Sequence, residues 1–362
     1  MGKKLGFGLM RLPLTDPNNN GSVDIELLKK MVDAYLQRGF TYFDTAWMYC
    51  DGQSEHAVKQ VLTDRFPRDK FTVTSKLPNG PLNTPEDRDK IFNEQLRKTG
   101  LSYFDYYLLH AIAEQNIERF LQYDCFTWLM KKKKQGLAKK IGFSFHGSPE
   151  LLDELLSKYP QMDVVQLQIN YLDWENEKVR SRECHEIAVR HGKSIIIMEP
   201  VRGGALADVP ANVKMMFKNA DSGLSVASWA IRFAASLENV MMVLSGMSNL
   251  EQVLDNTGFM ENFQPLTKDE MQMALLAGKI ISGQANIACT GCSYCTERCP
   301  KNIAIPQYFS AFNKKDKAQY ELLTENFGKA SECIECGQCE KACPQLLPIR
   351  AHLKTVSEEF EA

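Results

Sequence analysis

The sequence predicts an α/β chain: a closed (β/α)8 barrel followed by a small, mainly helical module. Three observations lead there. Strand-length apolar runs alternate with helix-length amphipathic runs eight times within about 250 residues. The strand runs are continuously apolar, as strands buried on both faces are. No G-x-G-x-x-G follows the first strand, which disfavours an open doubly wound sheet.

The elements come in order. "FGLMRL" (7–12) precedes a helical pattern over 24–38, and "TYFD" (41–44) precedes one over 54–65. "FTVTSK" (71–76) precedes a helix opening at Thr84 with Pro85 at its first position. "FDYYLLH" (104–110) precedes 116–135, and "KKIGFSF" (139–145) precedes "SPELLDELLSKY", with a Ser cap and Pro. "DVVQLQ" (163–168) precedes 175–191. "SIIIME" (194–199) leads, after an irregular stretch, to "SVASWAIRFAAS", and "NVMMVLS" (239–245) to "NLEQVLDN". Eight such units at this length predict a barrel of the TIM type.

From Thr267 the texture changes. "TKDEMQMALLAGKIIS" carries a Thr cap with Glu270 three residues on, a capping box, and predicts a helix bridging the barrel to the Cys-rich region. Helical spacing recurs in "IPQYFSAFNKKDKAQYELLTENFG" and from Pro348 onward. The expected division is a barrel over 1–265 and a second module over 266–362.

With 43 basic and 45 acidic residues the net charge is −2, so no strong nucleic-acid or membrane field is expected. No apolar run approaches the ~18–20 residues of a membrane helix. The N-terminus lacks the apolar segment of a signal peptide. Eight of the eleven cysteines lie between 289 and 343. Such clustering, without a signal peptide, points to ligation in a reducing compartment and a cytoplasmic protein.

The clustered thiols have a definite spacing. Cys289, Cys292, Cys295 and Cys299 follow C-x2-C-x2-C-x3-C-P, as do Cys333, Cys336, Cys339 and Cys343. This is the two-cluster ferredoxin pattern, in which the fourth Cys of each run ligates the other cluster. One [4Fe-4S] cluster is therefore expected on Cys289, Cys292, Cys295 and Cys343, and the other on Cys333, Cys336, Cys339 and Cys299. Structural zinc is the competing use of C-x-x-C pairs, and two complete runs each closed by Pro argue against it. The module resembles α-helical di-cluster ferredoxin domains.

In a barrel, reactive groups sit where strands end. Those positions hold Asp44, Lys76, His110, Ser144, Gln166, Glu199 and Ser245, with Tyr49 five residues beyond Asp44. An ammonium held by Asp44 lowers a tyrosine pKa from its usual ~10. Tyr49 with Lys76 and Asp44 then makes a tuned general acid, and His110 orients a carbonyl. The reaction that suits them is protonation of a carbonyl oxygen as a hydride reaches its carbon.

"FDTAWMYCDGQSE", "SKLP", "YYLLH" and "IGFSFHG" resemble the aldo/keto reductase superfamily over about residues 5–260. That resemblance implies a barrel binding NADP or NAD without a Rossmann fold, and an Asp–Tyr–Lys–His tetrad at Asp44, Tyr49, Lys76 and His110. It implies nicotinamide contacts from Ser144 and Gln166, and an adenosine end at Ser248, Gln252 and Asn256. The chain departs from the family pattern in three places: Phe145 follows Ser144, Met198 replaces a stacking aromatic, and Gln252 stands near an expected Arg. Arg202 is an alternative pyrophosphate contact.

The expected function is an NAD(P)-linked oxidoreductase on a small carbonyl or alcohol, with electron transfer through two [4Fe-4S] clusters. Because nicotinamide moves two electrons and a cluster one, a flavin is a candidate converter. The alternative is an electron-transfer subunit or redox sensor whose barrel docks a partner or binds that flavin. The stretch "KKKKQGLAKK" (131–140) is either a solvated helix end or a docking patch for an acidic redox partner. Trp47, Trp174 and Cys50 are candidates for the rim of the pocket.

Overall fold

Eight parallel strands close into a barrel in chain order in the computed structural model, which describes residues 3–283, 287–296 and 298–361. They are β1 Leu5–Gly8, β2 Tyr42–Asp44, β3 Thr72–Leu77, β4 Phe104–Ile112, β5 Ala138–Phe145, β6 Val164–Gln168, β7 Ser194–Met198 and β8 Val240–Gly246. Closure is made by β8 on β1, with Leu5 opposite Val243 and Phe7 opposite Ser245.

Alternation along the strands decides which residues face the axis. Phe43, Val73, Leu109, Val165, Ile197 and Val243 join the large core between the sheet and the helices. Their neighbours Tyr42, Leu108, Val164, Ile196, Met242 and Leu244 form a separate apolar cluster that plugs the interior. Gly6 is required there, since a Cβ would lie 2.7 Å from Leu244 Cδ2. Two residues further along the strands come Asp44, His110, Gln166 and Met198. The same alternation that fills the barrel floor therefore raises these side chains into the layer above it.

The helices differ from expectation where a polar side chain captures the backbone first. Asp87 accepts from the amides of Asn83 and Thr84 at 3.0 and 2.8 Å, so the helix expected from Thr84 starts at Asp87. Asn176 accepts from Lys178 and Val179, and the helix expected from 175 starts at Ser181. The expected 116–135 helix breaks at Asp124, which is left-handed with φ 48°. The 54–65 segment is an α-helix to Val58 and a π-helix over Lys59–Thr63. A helix over Ala211–Ala220 fills the stretch expected to be irregular. The first strand ends at Gly8 rather than Leu12; Leu9 and Leu12 are apolar because they are buried in the loop.

After β8 and the helix Leu250–Glu261, the helix Lys268–Ser282 opens with the expected Thr267–Glu270 capping box. It places Ala274 and Ala277 in the barrel core. A second core, including Ile305, Tyr308, Phe309, Leu353, Val356 and Phe360, holds the helices Ile305–Lys314, Lys317–Thr324 and Ile349–Phe360 together. This helical region sits on the C-terminal face of the barrel. Gln345 and Gln168 exchange amide hydrogen bonds of 2.8 and 3.0 Å, both residues 5% exposed. Arg11 Nη2 donates to the Thr290 carbonyl at 2.7 Å. Gly203, at φ +64°, lets that carbonyl approach so closely that a Cβ would lie 2.0 Å from the oxygen. No helix among the described residues is long and apolar enough to cross a membrane.

Candidate active site and cluster sites

Asp44 and Lys76 meet across neighbouring strands. Lys76 Nζ lies 2.6 Å from Asp44 Oδ1, 2.9 Å from the Thr45 carbonyl and 3.5 Å from the Tyr49 hydroxyl. The lysine and aspartate side chains are 1% and 3% exposed. Burial pushes the Asp44 carboxyl up and the Lys76 ammonium down, and their mutual attraction opposes both shifts. The His110 ring lies edge-on to Tyr49, with centroids 5.9 Å apart. Burial, then the charge on Lys76, holds His110 well below the usual imidazole range, so it is neutral.

Tyr49 departs from the expected tuning. Its pKa is raised well above 10, first by burial and then by the charges of Asp44 and Glu199, with Arg11 opposing. The expected lowering by Lys76 does not appear because Asp44 already neutralises that ammonium at 2.6 Å. The hydroxyl keeps its proton in the unliganded site.

Two adjoining cavities open from this centre. One is a cleft of ≈ 240 Å3 lined by Asp44, Tyr49, Gln166, Met198, Arg202, Ser248, Gln252 and Asn256 among others. Gln166 Oε1 is buried without a hydrogen-bond partner. Ser144 Oγ accepts from the Ala111 amide at 2.7 Å, leaving its own proton free to donate; it lines the second cavity rather than the cleft. Arg202 Nε is held by Asp173 at 3.0 Å. Gln252 Oε1 accepts from the Ser248 amide at 2.7 Å and Asn256 Nδ2 donates to Ser245 at 2.9 Å.

The second cavity, of ≈ 50 Å3, is a small chamber that holds Tyr49, Lys76 and His110 on one wall. Its other wall comes from the helical region: Thr290, Cys292, Tyr294, Pro344 and Gln345. The sequence carried no signal for Thr290, Tyr294 or Gln345 as site residues, nor for Arg11. Trp47, Trp174 and Cys50 line neither cavity. Lys98 sits 3.8 Å over the Trp47 ring, Trp174 packs on Phe233 and His185, and Cys50 packs on the Leu9 and Met10 carbonyls. In the basic stretch, Lys132, Lys133, Lys139 and Lys140 are ion-paired with Asp89, Asp163, Asp105 and Asp163.

The clustered thiols fall into two sets. Cys289, Cys292, Cys295 and Cys343 surround a small cavity of ≈ 10 Å3. Cys299, Cys333, Cys336 and Cys339 surround another of similar size. Each set takes three thiols from one run and one from the other, and Ile305 lies between the cavities, lining both. Left-handed Gly291 and Gly337 turn the chain within each run, and the Gly291 amide donates to Cys289 Sγ at 3.4 Å. All eight thiols are free. Among the described residues no three Cys, His, Asp or Glu side chains converge tightly enough for one metal ion. Thiols spread around an apolar-walled space suit a polynuclear cluster, which would be held by four thiolates in each set.

Comparison with known proteins agrees with this geometry. The profile of the aldo/keto reductase family matches residues 4–274, and that of a 4Fe-4S dicluster domain matches 288–347. An aldo-keto reductase of Mycolicibacterium smegmatis is 27% identical over 247 residues, covering 67% of this chain and 80% of the relative. An NAD/NADP-dependent indole-3-acetaldehyde reductase of Schizosaccharomyces pombe is 36% identical over 134 residues, covering 36% of this chain and 45% of that protein. The barrel also superposes on solved structures. An aldo-keto reductase from Bacillus halodurans in its holo form gives a TM-score of 0.59 at 23% identity, covering 76% of this chain and 91% of that one. One from Klebsiella pneumoniae in complex with NADPH gives 0.60 at 17% identity, covering 78% and 92%. The chain belongs to the aldo/keto reductase family and is an oxidoreductase that carries a 4Fe-4S dicluster domain behind its barrel.

Proposed function

We propose that the enzyme interconverts a small carbonyl compound and its alcohol with NADP or NAD, and exchanges electrons through the dicluster domain. The observation that carries this reading is the buried Asp44–Lys76 pair set 3.5 Å from the Tyr49 hydroxyl, opening into a chamber shared with His110. In reduction, neutral His110 donates a hydrogen bond to the substrate carbonyl and orients it. Tyr49, protonated in the resting site, gives its proton to the oxygen as charge develops there. Lys76 then stabilises the phenolate that is left, and Asp44 holds the ammonium in place and keeps the buried pair neutral overall.

The cleft fits a dinucleotide. Gln166 Oε1, unpartnered and buried, suits a carboxamide N–H, and the free Ser144 proton suits a carboxamide oxygen. Met198, Arg202, Ser248, Gln252 and Asn256 line the same cleft. A bound nicotinamide would supply or take the hydride, which alone balances the carbonyl–alcohol couple, and clusters held by the two thiol sets would carry single electrons to or from a separate redox partner. The Klebsiella relative's NADPH complex favours NADP, while Gln252 offers no fixed charge to a 2′-phosphate.

Anaerobically purified, iron-loaded protein given small aldehydes and ketones with NADPH and then NADH tests this. Carbonyl-dependent oxidation that Tyr49→Phe abolishes is expected. Turnover retained by Tyr49→Phe overturns the acid assignment, and no oxidation with any carbonyl overturns the reductase reading. Cluster bleaching by the nicotinamide without added flavin is the expected sign of coupling between the two domains.

A further inference from the structure

We propose that Glu199 and Tyr294 form a second polar subsite beside the carbonyl position, one that recognises the hydroxyl of a small α-hydroxycarbonyl substrate. This rests on the reductase reading of Tyr49 and His110 and names the substrate class that the chamber takes.

Glu199 follows the last residue of β7 and lines both the cleft and the chamber. Its backbone is left-handed, φ 56°, an uncommon state for a side chain of this kind that is concentrated at functional sites. Asn170 Nδ2 holds its carbonyl at 3.1 Å. One carboxylate oxygen lies 3.6 Å from Arg11 Nη2. The other, Oε2, is buried and has no hydrogen-bond partner among the described residues. Arg11 is drawn off toward the dicluster domain by the Thr290 carbonyl at 2.7 Å.

Tyr294 reaches the same space from the opposite wall, between the thiols of Cys292 and Cys295. Tyr49, Glu199 and Tyr294 all line this one chamber, two from the barrel and one from the helical region. A carboxylate only accepts, and a phenol hydroxyl can donate. A ligand hydroxyl satisfies both, donating to Glu199 Oε2 and accepting from Tyr294. A ligand carboxylate would face Glu199 with like charge, and an alkyl group would leave Oε2 unpaired in a buried position. Tyr49 and His110 line the same small chamber, so the proposed substrate carries its carbonyl there and its hydroxyl on a neighbouring carbon. Tyr294 and Glu199 are positioning residues in this scheme: they fix the substrate and take no part in proton transfer.

The test compares hydroxyacetone with acetone on the iron-loaded full chain with NADPH. Wild type should prefer hydroxyacetone. In Tyr294→Phe and Glu199→Ala the ratio of kcat/KM for the two ketones should fall about tenfold, the loss of one hydrogen bond of ordinary strength. The loss should enter through KM, and Glu199→Gln should recover part of it. Equal losses on both ketones, or none, overturn the subsite. Should wild type reduce neither ketone, the reductase reading is decided separately by the wider panel of aldehydes and ketones. Calorimetric titration of the two ketones into wild type and Tyr294→Phe without nicotinamide then decides the subsite: a preference lost in the variant supports it, and no preference in wild type overturns it.

Discussion

Removing the Lys76 ammonium should damage the barrel before any chemistry is attempted. Lys76→Met deletes the donor that stands 2.6 Å from Asp44 Oδ1 and leaves that carboxylate 3% exposed with no counter-charge. Breaking a buried pair from one side costs about 3–5 kcal/mol, because the remaining charge is stranded. The sign of the pH dependence is fixed. Asp44 already has its carboxyl raised by burial, and losing Lys76 raises it further. A carboxyl with a raised folded pKa binds its proton more readily in the native state. Its contribution is fully present below the ordinary value of ~3.9 and is lost as pH rises through the folded value. The penalty of Lys76→Met should therefore be largest near neutrality and shrink toward pH ~4. The double variant Asp44→Asn/Lys76→Met removes both charges and should recover most of the stability. Turnover should stay down in both variants by about 10²–10⁴-fold, the usual worth of a positioned general acid.

All four tryptophans, Trp47, Trp128, Trp174 and Trp229, lie in the barrel, so their fluorescence in a urea titration reports that domain alone. A single variant within about 1 kcal/mol of wild type at pH 7 would refute the account of a dry, mutually dependent pair. A double variant with wild-type turnover would sink the catalytic roles while leaving the stability argument intact.

Other consequences can be checked separately. The His146 pKa is pushed down to about 4 by burial; the unfolded chain takes up that proton near ~6.5, so stability present above that value is lost as pH falls toward 4. Wild type should lose up to about 1.4 kcal/mol per pH unit relative to His146→Gln across that window, and a constant difference in urea midpoint would rule this out. Gly203→Ala puts a Cβ 2.0 Å from the Thr290 carbonyl at a φ of +64°. The seat of the dicluster domain should loosen, seen as faster proteolysis within 287–296 with the barrel intact; an unchanged digest contradicts the contact. Cys343→Ser should leave the same residual cluster spectrum as Cys292→Ser and a different one from Cys333→Ser. A match with Cys333→Ser instead would break the crossed thiol sets.

Local chemistry made much of this readable from sequence. Asp44, Lys76 and His110 stood out because a strand of continuous apolar residues that ends in an ionisable group presents it at the barrel rim. The thiol runs were legible because ligand spacing is a property of a few consecutive residues. What stayed hidden depends on distance along the chain. Gln345 reaches Gln168 across 177 positions, and Arg11 reaches Thr290 across 279. Neither residue sits in a motif, and a single Gln or Arg has no sequence signature for its partner. Tyr294 lay in plain view inside the first thiol run, but only the seating of that run on the barrel turns it toward Tyr49. The raised Tyr49 pKa was missed for a related reason. Sequence suggests which charges approach one another and says little about how much water is removed around them.

That removal of water ties the two domains together. Tyr49 is 9% exposed, and the chamber it opens into is closed on its far side by Cys292, Tyr294, Pro344 and Gln345. A barrel without this cover would leave the hydroxyl, Lys76 and His110 facing solvent at their open ends. Their interactions would then act through a higher effective dielectric and be correspondingly weaker. The dicluster domain thus does more than stand beside the reductase barrel: it completes the wall of the chamber in which the proposed proton donation from Tyr49 would take place. The same stretch that carries Cys289, Cys292 and Cys295 also carries Thr290 and Tyr294. The chamber wall and the first thiol set are therefore built from one stretch of chain, with Thr290 and Cys292 lining both cavities.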